Sequence, residues 1–145
     1  MKKIIVANLK MNPETLYEAE KLLGAITQTG KKLRGVEVIF CPPFIYLGVL
    51  SKKAKKSVKL GSQNAFWKDA GAFTGEISPA MLRKMGVSYV ILGHSERREH
   101  LGETDEMVNL KIKAALEEGL KVILCVGGRT RGHSQEVGAK YYYCL

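Results

Sequence analysis

The chain has 145 residues, 46% of them hydrophobic and 26% charged, which is the size and composition of one globular domain. No apolar run approaches the roughly 18 to 20 residues of a membrane span, so the sequence predicts no membrane association. The net charge of +9 owes much to the lysines of residues 52–59, which we interpret as a solvated helix face. No recognition motif or array of stacking aromatics accompanies them, which argues against nucleic-acid binding.

The cysteines and the N-terminus indicate the cellular compartment. Cys41, Cys125 and Cys144 are odd in number and widely spaced, so they predict neither a disulfide framework nor a zinc site, and no metal is expected. The apolar run at residues 4–7 is too short for the core of a signal peptide, which needs about 7 residues or more. We therefore predict a first β-strand in a cytoplasmic protein.

Short runs rich in Val and Ile alternate with helical segments along the chain. The first strand is predicted over residues 3–8. Asn12 is a good N-cap and Pro13 suits a first helical position, so a helix is predicted to start there. Its apolar stripe continues through Leu16, Ala19, Leu22, Leu23 and Ile26. Residues 30–35, bounded by glycines, are predicted to be a loop.

The middle of the chain continues the alternation, with proline and glycine marking the boundaries. Pro42 and Pro43 end one strand, and Ser78 with Pro79 begins a helix by the cap-and-proline pattern. In chain order, the predicted elements are a strand over 36–41, a helix over 45–55, a strand over 58–61 that runs on into 62–64, a long loop over 65–77 and a short helix over 79–85.

The last predicted elements are a strand over 89–92, a helix from 104 or 105 to 118 and a strand over 121–126. Five βα-type units in succession predict an α/β fold with a parallel sheet and helices outside it. Residues 127–145 have no helical stripe and no caps, and three consecutive tyrosines cannot alternate between two faces of a sheet. We predict a poorly structured tail there.

Five short motifs follow one another along the chain: Asn8-Leu9-Lys10-Met11-Asn12, Cys41-Pro42-Pro43, Gly61-Ser62-Gln63-Asn64, Gly71-Ala72-Phe73-Thr74-Gly75-Glu76-Ile77-Ser78 and Gly93-His94-Ser95-Glu96-Arg97-Arg98. Taken in register, they resemble the triosephosphate isomerase family, and the resemblance covers about residues 2–127. It implies a partial (β/α)₈ TIM barrel of about five parallel βα units that does not close. Residues 1–127 would be the N-terminal part of the barrel and residues 128–145 a divergent tail.

The resemblance also implies an activity. The family consists of cytoplasmic, homodimeric enzymes of glycolysis and gluconeogenesis. They interconvert dihydroxyacetone phosphate and D-glyceraldehyde 3-phosphate by proton transfer through an enediolate, without a cofactor. Such an isomerisation needs a carboxylate base and an electrophile that stabilises the developing oxyanion. The small-molecule partner expected for this chain is therefore a triose phosphate.

Residue by residue, the resemblance makes His94 the electrophile, acting as a neutral imidazole, for which this family is itself a standard example. Lys10 and Asn8 match substrate-binding residues, and in an extended strand they would project to the same side. Glu96 matches a supporting glutamate that could pair with Lys10, and Ser95 could contact the base or cap a helix. Without the resemblance, the same residues could be a structural histidine, a surface lysine and a turn-forming asparagine.

The long loop resembles the segment with which the family contacts its partner subunit. The residues expected at this dimer interface are Gln63, Asn64, Phe73, Thr74, Gly75 and Glu76. Long loops without secondary structure are commonly functional, although a surface Ω-loop is the alternative.

A complete barrel takes about 250 residues, and this sequence offers no sixth strand with the glutamate base, no lid loop and no late phosphate loops. We expect a chain truncated or frame-shifted after about residue 127 and inactive alone. The alternative is a non-catalytic remnant that associates with a partner through residues 65–77. The side chains of Ile5, Val38, Ile91 and Ile123 are expected to face the barrel interior.

Overall fold

A computed structural model describes residues 3–126, in which five parallel strands lie in the sheet in chain order. The strands alternate with helices along the chain and form an open, curled half-barrel, which confirms the expected partial TIM barrel. The elements are β1 (Lys3–Asn8), α1 (Leu16–Lys32), β2 (Val36–Cys41), α2 (Phe44–Lys53), β3 (Val58–Ser62), α3 (Pro79–Lys84), β4 (Tyr89–Leu92), α4 (Ser95–Leu101), α5 (Asp105–Glu117) and β5 (Lys121–Leu124).

Two apolar clusters cover the two faces of the sheet. The larger one joins strand residues such as Phe40 and Val90 to the helices. The smaller one, on the face away from the helices, contains Val6, Ile39, Cys41, Tyr89, Ile91 and Ile123. Ile91 and Ile123 thus lie on the expected face. The prediction for Val38 was wrong, because it packs in the larger cluster; Ile5 is 40% exposed and belongs to neither cluster.

Helix α1 begins three residues later than predicted from Asn12 and Pro13. Thr15 is the N-cap: its Oγ1 accepts from the Glu18 N–H at 3.3 Å, and the Glu18 carboxylate accepts from the Thr15 N–H at 3.3 Å. This reciprocal capping box satisfies donors that would otherwise lack partners in the first turn. The prediction of a cap at Asn12 was therefore wrong.

Helix α1 also ends later than predicted, because it continues through Gly30 to Lys32. Gly30 is buried, and a Cβ placed there would lie 3.1 Å from the carbonyl oxygen of Ser57. This glycine permits close packing of the helix against the chain before β3, and it does not end the helix.

Smaller differences concern element ends. Helix α2 starts and ends earlier than predicted, and β5 stops at Leu124. Helix α4, for which the sequence indicated only that Ser95 could cap a helix, has seven residues and ends at Gly102, whose φ is +65°. The tail predicted for residues 128–145 lies outside the described residues. Among the helices between residues 3 and 126, none combines the length and apolar composition that a bilayer span requires.

Candidate active site

The chain turns sharply just after β1. The Asn8 side chain accepts a hydrogen bond from the Lys10 N–H at 3.0 Å, and the Asn12 N–H donates to the Leu9 carbonyl at 3.1 Å. Lys10 has a φ of +54°, a left-handed conformation that non-glycine residues seldom adopt. The extended geometry predicted for residues 8–10 was therefore wrong, because the Asn8 amide stabilises a turn.

The Lys10 side chain reaches across the strand ends to Glu96. Its Nζ lies 2.5 Å from Glu96 Oε1, although both side chains are about half exposed. The hydrogen bond from Lys10 lowers the pKa of Glu96 below its usual value. Glu96 is consequently held as a carboxylate that fixes the position of the Lys10 ammonium group.

His94 lies at the junction between β4 and α4. It is the N-cap of α4, and its Nδ1 accepts from the Glu96 N–H at 3.3 Å. When Nδ1 accepts, the proton of a neutral ring lies on Nε2, which is then a donor. The capping role left open for Ser95 was wrong, because Ser95 is the exposed first residue of α4.

Gln63 links the ends of three strands around this site. Its Nε2 donates to the carbonyl oxygens of Lys10 and Cys41, both at 2.9 Å. The residues at these strand ends line a cavity of about 200 Å³. Its lining residues are Asn8, Lys10, Phe44, Gln63, Asn64, His94, Glu96 and Arg97. The structure thus brings the predicted substrate-binding and electrophile residues together at the carboxyl edge of the sheet, where parallel α/β folds bind ligands.

A buried polar network behind the cavity was missed by the sequence analysis. Glu103 Oε2 accepts from Lys111 Nζ at 2.6 Å and from Arg97 Nε at 2.7 Å, and Lys111 also donates to Asn64 Oδ1 at 3.0 Å. Burial alone would raise the pKa of Glu103, but the hydrogen bonds from Lys111 and Arg97 outweigh it and lower the pKa. One available signal was that Lys111 falls at helical spacing between the buried Val108 and Ala115.

The two ends of the loop of residues 65–77 are hydrogen-bonded to each other, and three aromatic rings pack together within the loop. The Phe66 N–H donates to the Ile77 carbonyl at 2.9 Å, and the Phe66 ring lies 4.0 Å from that of Trp67 and 4.7 Å from that of Phe73. Phe73, Thr74, Gly75 and Glu76 are exposed, whereas Asn64 is buried and Gln63 half-buried. The bonds described for Gln63 and Asn64 are all within the chain, and their interface role stays a prediction.

Metal binding finds no support in residues 3–126, where no group of three or more His, Cys, Asp or Glu side chains is arranged to hold an ion. Within the same part of the chain, Glu96 is the one carboxylate that lines the cavity beside Lys10 and His94. The site therefore offers an ammonium group, a ring N–H donor and amides, which is a set suited to an anionic or carbonyl ligand.

Comparison with known families decides the assignment. The family model described as triosephosphate isomerase matches residues 3–141. The chain belongs to the triosephosphate isomerase family. Proteins named triosephosphate isomerase from Dictyoglomus thermophilum and Trichodesmium erythraeum are similar to it. The former is 47% identical over 144 residues (96% of this chain, 57% of the relative), and the latter is 51% identical over 127 residues (87% and 53%).

A eukaryotic relative of the same name, from Coprinopsis cinerea, is 49% identical over 120 residues, which are 83% of this chain and 47% of the relative. The chain thus spans about half the length of the curated relatives it matches. The family match continues past residue 127, where the resemblance described from the sequence ends, to residue 141. The assignment of residues 128–145 to a divergent tail stays a prediction.

Proposed function

We propose that this chain provides the electrophile and substrate-binding part of a triosephosphate isomerase, which interconverts dihydroxyacetone phosphate and D-glyceraldehyde 3-phosphate. The observation that carries the proposal is the convergence of Lys10 and His94 on one cavity, with Glu96 in contact with both: its Oε1 lies 2.5 Å from Lys10 Nζ and its Oε2 lies 3.5 Å from His94 Nδ1. The reaction belongs to glycolysis and gluconeogenesis, and we propose a cytoplasmic location on the same family grounds.

The proposed roles of the site residues follow from where negative charge develops during the isomerisation. Removing a proton from the carbon beside a carbonyl places negative charge on the carbonyl oxygen. A donor aimed at that oxygen lowers the barrier because it interacts more strongly with the enediolate than with the ketone. His94 would donate from Nε2, since its Nδ1 is occupied as an acceptor. Lys10 would supply positive charge, and Asn8 holds the Lys10 turn.

The proposed reaction also needs a base that takes the proton from the substrate carbon. Glu96 is a poor candidate because its hydrogen bond with Lys10 lowers its pKa and so weakens it as a proton acceptor. We propose that the base is a carboxylate from outside residues 3–126, and that this chain is inactive without the remainder of the barrel. Loss of a positioned base costs about 10²- to 10⁴-fold in rate.

Complementation tests this proposal. The chain would be assayed with D-glyceraldehyde 3-phosphate alone and after co-expression with the C-terminal portion of the Dictyoglomus thermophilum relative that the match does not cover. We expect activity only in the combination, and a loss of about 10²- to 10³-fold on His94→Gln, the size expected for one oxyanion donor. Comparable activity from the unmixed chain would place a base within it, and full activity of His94→Gln would remove His94 from the mechanism.

A second candidate function is association with a partner through residues 65–77, either as a homodimer like that expected of the family or as a non-catalytic remnant. It is favoured by the exposed loop tip at Phe73, Thr74, Gly75 and Glu76. The two ends of this loop are joined by the hydrogen bond from the Phe66 N–H to the Ile77 carbonyl. Sedimentation would compare Phe73→Ser with Tyr17→Ser, an exposed aromatic on α1 that serves as the matched control. The second function is supported if Phe73→Ser, but not Tyr17→Ser, loses self-association or capture by a full-length isomerase. It is contradicted if the two variants associate to the same extent.

A further inference from the structure

Gly93 joins β4 to His94, and its conformation sets where α4 starts. Its φ is +73°, in the left-handed region that glycine adopts without steric cost. Glycine is also the residue with the greatest backbone freedom, so the sequence alone does not fix its dihedral angles. A rotation about either dihedral of Gly93 would move the His94 ring relative to the sheet.

Two side chains hold Gly93, one on each side of its Cα atom. The Gly93 N–H donates to Glu103 Oε1 at 3.1 Å, and the Gly93 carbonyl accepts from Arg98 Nε at 2.8 Å. These two groups belong to the two different peptide units that flank the Cα atom. Together the two bonds therefore constrain both φ and ψ of Gly93.

Both holding groups are themselves anchored. The Arg98 Nη1 lies 2.6 Å from Asp105 Oδ1, and Glu103 Oε2 is bonded by Lys111 and Arg97. A Cβ built at position 93 would lie 3.0 Å from Arg98 Nη2, so the guanidinium group packs directly over the glycine. Gly93 is buried, and a lost bond there would leave a backbone group without water to replace it.

We propose that Arg98 and Glu103 are positioning residues for His94, acting by fixing both dihedral angles of Gly93. The inference rests on the proposed function, since the placement of His94 matters for catalysis only if its ring meets the substrate. The bond from the Glu96 N–H to His94 Nδ1 depends on the register between His94 and the first turn of α4. The tautomer of His94 therefore reports on the clamp, which is the pair of hydrogen bonds that Glu103 and Arg98 make to Gly93.

The test uses ¹⁵N-labelled imidazole spectra of the full chain, without substrate. The His94 signals would be assigned by their loss in His94→Gln, because the chain has three histidines. In the unaltered chain we expect an unprotonated Nδ1 and a protonated Nε2. In Arg98→Met, which keeps a long apolar side chain but lacks the donor, we expect that single pattern to give way to a mixture of tautomers.

Arg83→Met is the matched control, since Arg83 is exposed on α3 and makes none of the clamp bonds. A change in Arg98→Met with none in Arg83→Met supports the proposal. An unchanged His94 pattern in a folded Arg98→Met variant overturns it. The tautomer is read without turnover, so the expected tautomer shift beside a failed complementation assay counts against the proposed function alone.

A second readout needs no variant to fold. The clamp requires the Gly93 amide to exchange with solvent deuterium as slowly as the amides of β4, although Gly93 lies beyond the end of that strand. Slow exchange supports the bond to Glu103. Exchange as fast as at the exposed residue Ser95 would overturn the proposal whatever the variants do.

Discussion

Lys111 Nζ lies 2.6 Å from Glu103 Oε2, and their side chains are only 4% and 2% exposed. This buried ion pair ties α5 to the segment that precedes it and, through Asn64, to the end of β3. The attraction offsets the cost of removing two charges from water only while both partners are present. Removing Lys111 leaves the buried Glu103 carboxylate with Arg97 as its remaining charged partner.

Lys111→Met is therefore expected to lower the free energy of unfolding by up to about 3–5 kcal/mol, measured by urea denaturation. Lys53→Met is the control, because Lys53 pairs with Glu20 at 2.7 Å but is 53% exposed. Exposed pairs contribute at most about 1 kcal/mol. Equal losses in the two variants would show that burial of the Lys111 pair is not what stabilises the fold.

Acid should weaken the fold through Glu103. Its pKa is lowered from the ordinary 4.5 in the folded chain, so the unfolded chain binds more protons in that range. The stability that this carboxylate contributes is present above pH 4.5 and is lost as the pH falls through the lower folded value. Urea midpoints measured from pH 7 to pH 3 should fall less steeply in Glu103→Gln than in the unaltered chain. A parallel decline in both would assign the acid sensitivity to other groups.

The capping box makes a local prediction at the start of α1. Thr15→Ala removes the acceptor of the Glu18 N–H and should lower the free energy of unfolding by about 0.5–2 kcal/mol. Asn12→Ala, at the exposed position that the sequence pattern favoured, should change stability by no more than about 0.5 kcal/mol. Thermal or urea unfolding would distinguish them, and a larger loss for Asn12→Ala would contradict the cap at Thr15.

Gly61 is required by packing inside the half-barrel. A Cβ there would lie 2.5 Å from Cys41 Sγ and 3.0 Å from Ile39 Cγ2, both on buried side chains. Gly61→Ala should cost about 1–3 kcal/mol through overpacking. Gly24→Ala, in α1 with open space around it, should instead stabilise by up to about 1 kcal/mol. Denaturation midpoints that move in the same direction would refute this account.

The strands were the most predictable elements. Residues 3–8, 36–41 and 89–92 were predicted with the bounds that β1, β2 and β4 have, because Asn8, Pro42 and Gly93 interrupt compact apolar runs. Which face a strand residue takes was less predictable. Both faces of such strands are apolar, so alternation gives no signal, and Val38 was placed on the wrong face for this reason.

For the site, the motifs identified the residues around the cavity but not the geometry that holds them. The turn at Lys10 depends on a side-chain hydrogen bond from its backbone to Asn8, which a strand pattern does not reveal. Glu103 and Arg97 are residue types usually found at the surface, and only the structure shows that Glu103 is buried and bonded to Arg97 of α4 and Lys111 of α5. Glu103 lies between α4 and α5, where no helical periodicity indicates burial.

The sheet order has a consequence for synthesis on the ribosome. Each strand from β2 to β5 pairs with the strand made just before it, so a nascent chain can add one βα unit at a time to an existing template. Translation proceeds at about 5–20 residues per second, which is slow compared with the microseconds to milliseconds that local docking takes. Assembly from the N-terminus onward is therefore available to this chain at every step after the first βαβ unit.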